Sequence, residues 1–478
     1  MAASFYFYDL ETTGFSPRTA RVVQFAGQRT DLDLQSLGEP HDLLIKLTDD
    51  VVPDPDAVLL TGITPQQTIA EGVTEAEFLR IFEREIATPD TIFVGFNSLR
   101  FDDEFMRYLL YRNFCDAYEW QWQDGRSRWD LLDLTRMTRA LRPEGINWPV
   151  DSTGKPSNRL ELLTSVNKLD HQNAHNALSD VNATIALAQL IRDKQPKLFD
   201  FLLKMRDKKR VAEFVHAEPA FVYSSGKYAS EFEKTTVVTT LADHPTRGGV
   251  LVYDLRYDLA PFANFSASEL AEAWKWKKDS NEPRLPVKAL QFNHCPAIAP
   301  LSVLDTVSRE RLGLDMDVIK KHHAQLAIMK DWTKRVLEAL QLLEQQKQAS
   351  FLIDERTVDE QLYDGFFDKS DKTEMAGLRA AEPADISSFD GRFTDQRLKN
   401  LLPLYKARNY PKELTTEERS VWESYRNDKL LGGKEQGRLA RYFKRLDELA
   451  QRPDLSAQQQ YILEELRLYG QSLMPEDV

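Results

Sequence analysis

The sequence predicts a protein of several domains, the first of which is an α/β domain with a mixed sheet. Three observations indicate this fold class. Strand-like and helix-like patterns alternate from residue 1 to about 195, short β-rich segments follow, and helical patterns dominate after about residue 351. A chain of 478 residues with 42% hydrophobic content is too long for one ordinary core and long enough for two or three domains.

The first region carries strand and helix candidates in alternation. The strand candidates are Phe5–Leu10, Val22–Thr30, Asp42–Leu47 and Thr91–Phe96. The helix candidates are Thr74–Glu85, Asp103–Phe114, Leu131–Leu141, Arg159–Val166 and Leu178–Lys194. Strands interleaved with helices favour an α/β domain, which we place at residues 1–195.

The pattern changes after the basic run Lys204–Arg210. Strands separated by turn residues are expected at Phe221–Tyr223, Thr235–Leu241, Val250–Leu255 and Pro286–Phe292, with helices at Ala267–Lys277 and Val318–Glu344. These segments indicate a small barrel or open sheet at residues 196–347. Charged amphipathic helices are expected at Glu417–Asn427, Gln436–Gln451 and Ser456–Leu473, in a helical domain at residues 352–478.

Composition restricts the function. The formal net charge of −13 means that the chain as a whole repels polyanions, so any nucleic acid needs local basic patches and metal ions. Cys115 and Cys295 are the only cysteines, which excludes a disulfide framework and favours a reducing compartment. No leader peptide and no apolar run long enough for a bilayer is apparent, so we expect a soluble, cytoplasmic protein.

The most informative feature is the segment Phe5-Tyr-Phe-Tyr-Asp-Leu-Glu-Thr-Thr-Gly14, which ends a predicted buried strand with two carboxylates. Asp9 and Glu11 are at i and i+2, so strand alternation puts both on one face. Two like charges there are unfavourable unless a cation lies between them, and a divalent metal is the usual one. The pair therefore predicts a metal site.

Three further motifs extend this feature. Gly95–Glu104 is a predicted strand-to-helix turn that contains Asp102, and such turns hold ligand groups in α/β folds. His175 precedes Asp180 by five residues; within one helix their side chains would be about 140° apart, so His175 must precede the helix if both serve one site. Leu60-Thr-Gly-Ile-Thr64 is a small-residue turn suited to close approach by a ligand.

Each motif alone has an ordinary structural explanation as a solvated strand end, a helix cap or a surface acid. Their order is more specific, because Asp9, Glu11, Asp102, His175 and Asp180 follow one another within 180 residues of one α/β pattern. Dinucleotide binding is disfavoured, since no glycine-rich turn follows the first strand.

The ordered motifs resemble the DEDD superfamily of 3′→5′ exonucleases, in the branch that carries a histidine five residues before the last aspartate. Four later segments look like bacterial exonuclease I, a single-strand-specific DNA exonuclease, and extend the resemblance over nearly the whole chain. They are Ser127–Asp133, Ala140–Pro149, Gln361–Phe367 and Ala407–Pro411. The resemblance implies a ribonuclease H-like exonuclease domain, a Src-homology-like barrel and a C-terminal helical domain.

The resemblance also implies roles for residues. Asp9, Glu11, Asp102 and Asp180 would hold two Mg²⁺ ions, with Mn²⁺ as a possible substitute, and Asp9 would be common to both ions. His175 would be the general base. The contacts to DNA would come from Thr12, Leu60, Gly62, Ile63 and Arg142. Arg311 would contact the C-terminal tail of the single-stranded DNA-binding protein.

The resemblance implies a monomer that digests single-stranded DNA processively to 5′-mononucleotides in DNA repair and recombination, without a membrane. Two alternatives stay open. A histidine-branch enzyme could trim RNA or proofread for a polymerase, although the two added regions argue against both. The chain could also be a catalytically silent single-strand-binding module, although its five motif residues are intact.

Overall fold

The structure is a computed structural model. It describes residues 3–169, 176–275, 282–351, 356–432 and 437–475, without the side chains of 348–351. The chain divides into two compact units. The first contains Met1–Ser127, His171–Asn182 and Arg356–Val478, and the second contains Arg128–Asp170 and Ala183–Glu355. Within the described ranges, each helix is too short or too polar to cross a lipid bilayer.

Ten strands are named in chain order. They are β1 Ser4–Thr12, β2 Val22–Thr30, β3 His41–Leu44, β4 Thr91–Gly95, β5 Ser127–Asp130, β6 Phe221–Ser224, β7 Thr235–Asp243, β8 Gly249–Asp254, β9 Val287–Gln291 and β10 Ala297–Pro300.

The α-helices are named in the same way. They are α1 Pro55–Thr61, α2 Pro65–Glu71, α3 Glu75–Ile81, α4 Asp102–Arg112, α5 Leu131–Leu141, α6 Leu160–Asn167, α7 Ala177–Lys194, α8 Pro196–Lys204, α9 Lys208–Ala217, α10 Ala267–Trp274, α11 Thr306–Leu312, α12 Met316–Ile328, α13 Lys330–Phe351, α14 Lys369–Ala380, α15 Gln396–Asn409, α16 Thr416–Leu431, α17 Arg438–Ala450 and α18 Ala457–Ser472.

A mixed sheet forms the centre of the first unit. Its strands lie in the order β3-β2-β1-β4; β1 is antiparallel to β2 and parallel to β4. Tyr6 and Tyr8 on one face of β1 pack with Phe25 and Phe93 in the main core. Because β1 and β4 are parallel, their carboxyl ends lie at the same edge of the sheet, where α/β folds place ligand groups.

Helix α4 is buried on two sides within the first unit. Phe105 and Leu109 belong to the core of the sheet. Tyr108 and Tyr111 belong to a second core, which they share with Leu401 of α15 and other residues of the C-terminal helices. The C-terminal helices therefore support the helix that begins with Asp102.

A buried ion-pair network joins the same segments. Asp359 accepts hydrogen bonds from Arg21 at 2.8 Å and from Arg408 at 2.7 and 2.8 Å. Asp50 accepts from Arg408 at 2.8 Å and from Lys429 at 2.5 Å. Despite burial, these cations hold the pKa values of Asp50 and Asp359 well below the usual range. The network links the loop before β2 to α15 and α16.

The second unit contains an antiparallel sheet in the order β10-β6-β7-β8-β9. Its core includes Phe221, Val238, Val252 and Ile298. The strands predicted for this region are present, and β10 adds a short edge strand whose Pro300 ends it.

Some boundaries differ from the sequence prediction. The helix expected at Val318–Glu344 is two helices, since Met329 leaves helical geometry between α12 and α13. The helix expected at Thr74–Glu85 ends as α3 at Ile81 and continues as a π-helical turn, Phe82–Ile86. The helix expected at Ala267–Lys277 ends earlier, as α10 at Trp274, because Lys275 has extended backbone geometry.

The ion-pair network gives a stability prediction. Asp359→Asn removes the buried charged partner of Arg21 and leaves Arg408 with Asp50 alone, which should lower the free energy of unfolding by about 3–5 kcal/mol at pH 7. The pKa of Asp359 is lower in the folded chain than its ordinary value near 4, so its stabilising contribution is present above that pH and lost below it.

Urea unfolding at a series of pH values measures this. The difference between wild type and Asp359→Asn should narrow as the pH falls below about 4. Arg467→Gln, which removes an exposed pair with Asp447, is the control and should change stability by less than about 1 kcal/mol. An equally small change in Asp359→Asn would contradict the role of the network.

Candidate metal centre

Three carboxylates meet at the end of β1. Ligand oxygens of Asp9, Glu11 and Asp180 all lie within 4.8 Å of one another. Asp9 and Glu11 share one face of β1, as strand alternation requires. Glu11 pairs in register with Gln24, and the register shifts between Glu11 and Thr12. A bulge at this point increases the local twist of the strand beside the carboxylates.

The start of α7 brings in the third carboxylate. The Asn176 side chain accepts a hydrogen bond from the Ser179 amide at 3.2 Å, so Asn176 caps the helix and Asp180 lies in its first turn. The Ala177 amide donates to the Gln24 side chain at 3.4 Å. Gln24 is the β2 residue opposite Glu11, so this bond ties the helix to the strand pair that carries the carboxylates.

Asp102 lies close enough to influence this group. It is the first residue of α4, is only 4% exposed, and its charge helps to raise the pKa of Asp9. The neighbouring Asp103 accepts a hydrogen bond from the Tyr8 hydroxyl, which is on the opposite face of β1 from Asp9. Of the two adjacent acids, Asp102 is therefore the one that acts on the cluster.

The electrostatics of the cluster favour a cation. Burial, with the charges of Asp102 and Asp180, raises the pKa of Asp9 well above its usual range. Burial, with the charges of Asp9 and Asp180, raises the pKa of Glu11 to about 9. Carboxylate oxygens are the ligands that hard divalent cations prefer. The donor set therefore fits a divalent metal ion, which would allow these acids to ionise at neutral pH.

The other predicted residues of this region lie at the end of α1. Leu60 is in the helix and 52% exposed, so the turn expected at residues 60–64 is confined to residues 62–64, between α1 and α2. Asp54 caps α1 and Pro55 starts it. Gly62 ends the helix with φ +75°, and a Cβ there would meet no atom within 4 Å. Ile63 follows Gly62, and the Thr12 hydroxyl donates to the Gly14 carbonyl at 2.9 Å.

Arg142 and Arg311 lie in the second unit: Arg142 follows the last residue of α5, and Arg311 is in α11. The Arg142 guanidinium donates to the Val303 carbonyl at 3.0 Å and is 3.8 Å from Asp305. The Arg311 guanidinium donates to the carbonyls of Arg139 and Ala140, at 3.3 and 3.0 Å. Both cations therefore already stabilise the chain around the end of α5. His175 lies outside the described residues.

Sequence patterns did not point to Gln24 as part of this arrangement. It is 4% exposed, and its carboxamide accepts from Ala177 and donates to Asp42 at 2.7 Å. The only signal was a polar residue in the apolar strand Val22–Thr30, and such a residue has many structural explanations.

A mixed sheet with clustered carboxylates at the end of an inner strand is typical of metal-dependent exonucleases. Three family models match the chain: an exonuclease at residues 6–188, the exonuclease I SH3-like domain at 206–342 and the exonuclease I C-terminal domain at 356–473. Exodeoxyribonuclease I of Haemophilus influenzae is 42% identical over 434 residues, which cover 89% of this chain and 90% of the relative. The chain belongs to the exonuclease I family.

Solved structures of exonuclease I also match this chain. Exonuclease I of Methylocaldum szegediense is 42% identical with a TM-score of 0.91, and Escherichia coli exonuclease I with a dA16 oligonucleotide is 36% identical with a TM-score of 0.93. Each comparison covers 99% of this chain and 100% of the other. The protein is an exodeoxyribonuclease with a ribonuclease H-like exonuclease domain, an SH3-like domain and a helical C-terminal domain, which confirms the predicted fold class.

The raised pKa values give a prediction for the metal-free protein. Glu11 titrates near 4.5 when unfolded and near 9 when folded, so between these values the folded state binds more protons and stability falls as pH rises. One such group contributes a slope of at most about 1.4 kcal/mol per pH unit. Saturating Mg²⁺ should reduce this slope, because it stabilises the ionised carboxylates of the folded state.

Denaturant unfolding at pH 5–9, in chelator and in Mg²⁺, measures the effect. Glu11→Gln should show a flatter pH dependence in chelator and a weaker response to Mg²⁺. Glu39→Gln, at an exposed position, should match the wild type. If the free energy of unfolding in chelator had the same pH dependence in all three proteins, the pKa of Glu11 would not be raised in the folded state.

Proposed function

We propose that this protein is a 3′→5′ exonuclease that processively hydrolyses single-stranded DNA to 5′-mononucleotides by a two-metal-ion mechanism. The observation that carries the proposal is the cluster of Asp9, Glu11 and Asp180 in a chain of the exonuclease I family. The Escherichia coli relative has been solved with a dA16 oligonucleotide, which supports a single strand as the substrate.

Asp9, Glu11 and Asp180 would hold one ion, while Asp9 and Asp102 would hold the second. We propose Mg²⁺, with Mn²⁺ as a substitute, because all four side chains offer carboxylate oxygens. When bound, two ions supply a nucleophilic water at neutral pH and neutralise charge that develops on the phosphate. A zinc-bound form of the Escherichia coli enzyme with single-stranded DNA supports divalent metal binding in the family.

Protein side chains would perform the remaining steps. His175 would accept the proton of the attacking water, a role for which an imidazole with a pKa near 6.5 is suited. Thr12, Leu60, Gly62 and Ile63 would contact the 3′-terminal nucleotide. The exposed Leu60 and the open space over Gly62 support this role, since a sugar or base can approach the backbone there.

Two basic residues of the second unit have proposed partners. Arg142 would lie near the DNA, and Arg311 would contact the C-terminal tail of single-stranded DNA-binding protein. A similar structure, 35% identical with a TM-score of 0.89, contains a single-stranded DNA-binding protein with exonuclease I, which supports such a partner. The carbonyls that Arg142 and Arg311 already bind leave each guanidinium with donors for a further anion.

Other parts of the proposal depend on the family resemblance. They are the domain boundaries 1–195, 196–347 and 352–478, the monomeric state, cytoplasmic location and a role in DNA repair and recombination.

Digestion of end-labelled DNA tests the proposed function. With Mg²⁺, single strands should lose 5′-mononucleotides from the 3′ end, whereas chelator should stop the reaction and duplex should resist it. Asp9→Ala should lower the rate at least about 100-fold, because it removes a ligand common to both ions. Glu39→Gln should retain wild-type activity.

Three results would contradict the proposal. Equal degradation of duplex would remove single-strand specificity, full activity in chelator would remove the metal, and products released from the 5′ end would reverse the polarity. Faster digestion of an RNA strand of the same sequence would favour the RNA-trimming alternative.

A further inference from the structure

A basic groove lies beside the segment that follows the carboxylate pair. It has a volume of about 600 Å³ and is lined by residues 13–16 and 52–55 on one side and by Arg438, Arg441 and Arg445 of α17 on the other. We call it the arginine groove. The sequence alone favours a solvated amphipathic helix at this place, whereas the structure turns three of its arginines towards a cavity.

The three arginines differ in their partners. Arg445 donates to both carboxylate oxygens of Asp56, at 2.7 and 2.9 Å. Arg438 is 3.7 Å from Glu360. Arg441 is exposed and makes no side-chain hydrogen bond or ion pair with any residue that the structure describes. Arg441 is therefore the cation whose charge is available to a ligand.

The lining as a whole is positive. Among the lining residues that the structure describes, Asp54 is the only acid, and its carboxylate already accepts from the Asp56 amide at 3.0 Å. Arg438 and Arg445 are already paired with acids that lie outside the lining, so Arg441 supplies the positive charge that can attract an anion to the groove.

An aromatic ring accompanies these charges. Phe15 lines the groove and is 73% exposed, so most of its ring faces solvent. An exposed ring offers a face on which an unpaired base can stack without sequence preference. The combination of a free guanidinium and an exposed ring is typical of sites for single-stranded nucleic acid.

The groove is also fixed to the strand of the metal centre. Thr13 follows Glu11 by two residues; its amide donates to the Arg21 carbonyl at 2.9 Å, and its carbonyl accepts from the Asp54 amide at 2.7 Å. Both bonds hold the lining segment rigidly after the end of β1. This continuity favours the nucleic acid strand as occupant over an acidic peptide, which has no need to lie next to the metal ligands.

We propose that the arginine groove binds the single-stranded substrate, with a phosphate on Arg441 and a base stacked on Phe15. The proposal rests on the proposed function and adds a contact for the strand outside the metal centre. If it is right, the contribution of Arg441 to the affinity for the strand depends on salt, whereas the stacking contribution of Phe15 does not.

Fluorescence anisotropy with labelled oligothymidylate in chelator measures binding without turnover. Arg441→Gln should weaken binding several-fold at 0.1 M salt and reduce the slope of log affinity against log salt by about 0.7, the value for one phosphate contact on a single strand. Phe15→Ala should weaken binding roughly 5- to 100-fold without a change in slope. Lys444→Gln is the matched control, because Lys444 is an exposed cation of the same helix outside the lining.

Several outcomes would overturn the proposal. One is that Arg441→Gln and Lys444→Gln have the same affinity for the oligothymidylate and the same salt slope, while wild type binds and digests single strands. That result would reject the groove but leave the proposed function intact. If wild type neither binds nor digests single strands, the proposed function itself fails. If thymidine 5′-monophosphate displaces the strand from wild type but not from Arg441→Gln, the groove binds the released nucleotide instead. If Arg441→Gln loses binding of an acidic peptide but keeps binding of the strand, the groove binds a protein partner instead.

Discussion

The structure depends on one unfavourable interaction, the repulsion among carboxylates at the end of β1. Asp9, Glu11 and Asp180 bring their oxygens within 4.8 Å of one another, and Asp102 adds a fourth charge nearby. Without a cation, burial and this repulsion both favour the protonated acids, and together they raise the pKa of Glu11 to about 9. A divalent ion at this place would replace the protons, because carboxylates bind a metal in their ionised form.

Such repulsion persists only if the surrounding structure holds the side chains in place. The buried strand β1 fixes Asp9 and Glu11, and the bond from Gln24 to the start of α7 fixes Asp180. Helix α4 is packed between two cores, which fixes Asp102. The C-terminal helices thus have a function within the first unit that a DNA-binding role alone does not require: they stabilise the helix that carries a predicted metal ligand.

The sequence predicts those parts of the site that follow from local periodicity. Strand alternation predicts that Asp9 and Glu11 share a face, and they do. Local periodicity does not predict contacts between distant segments, such as that of Gln24 with α7. It also missed α1, because the prolines before it indicate a turn, whereas Pro55 occupies the first position of a helix. The direction of Arg441 depends on how α17 packs, which hydrophobic periodicity alone cannot give.

The central claim is that these carboxylates form a divalent metal site. Anomalous diffraction from crystals soaked in Mn²⁺ tests it most directly, because the signal locates the ion independently of activity. The account predicts a peak within coordinating distance of Asp9, Glu11 and Asp180, which should vanish in Asp9→Ala crystals. The absence of an anomalous peak at this place in crystals saturated with Mn²⁺ would contradict the claim. A peak that persists in Asp9→Ala crystals would also contradict it.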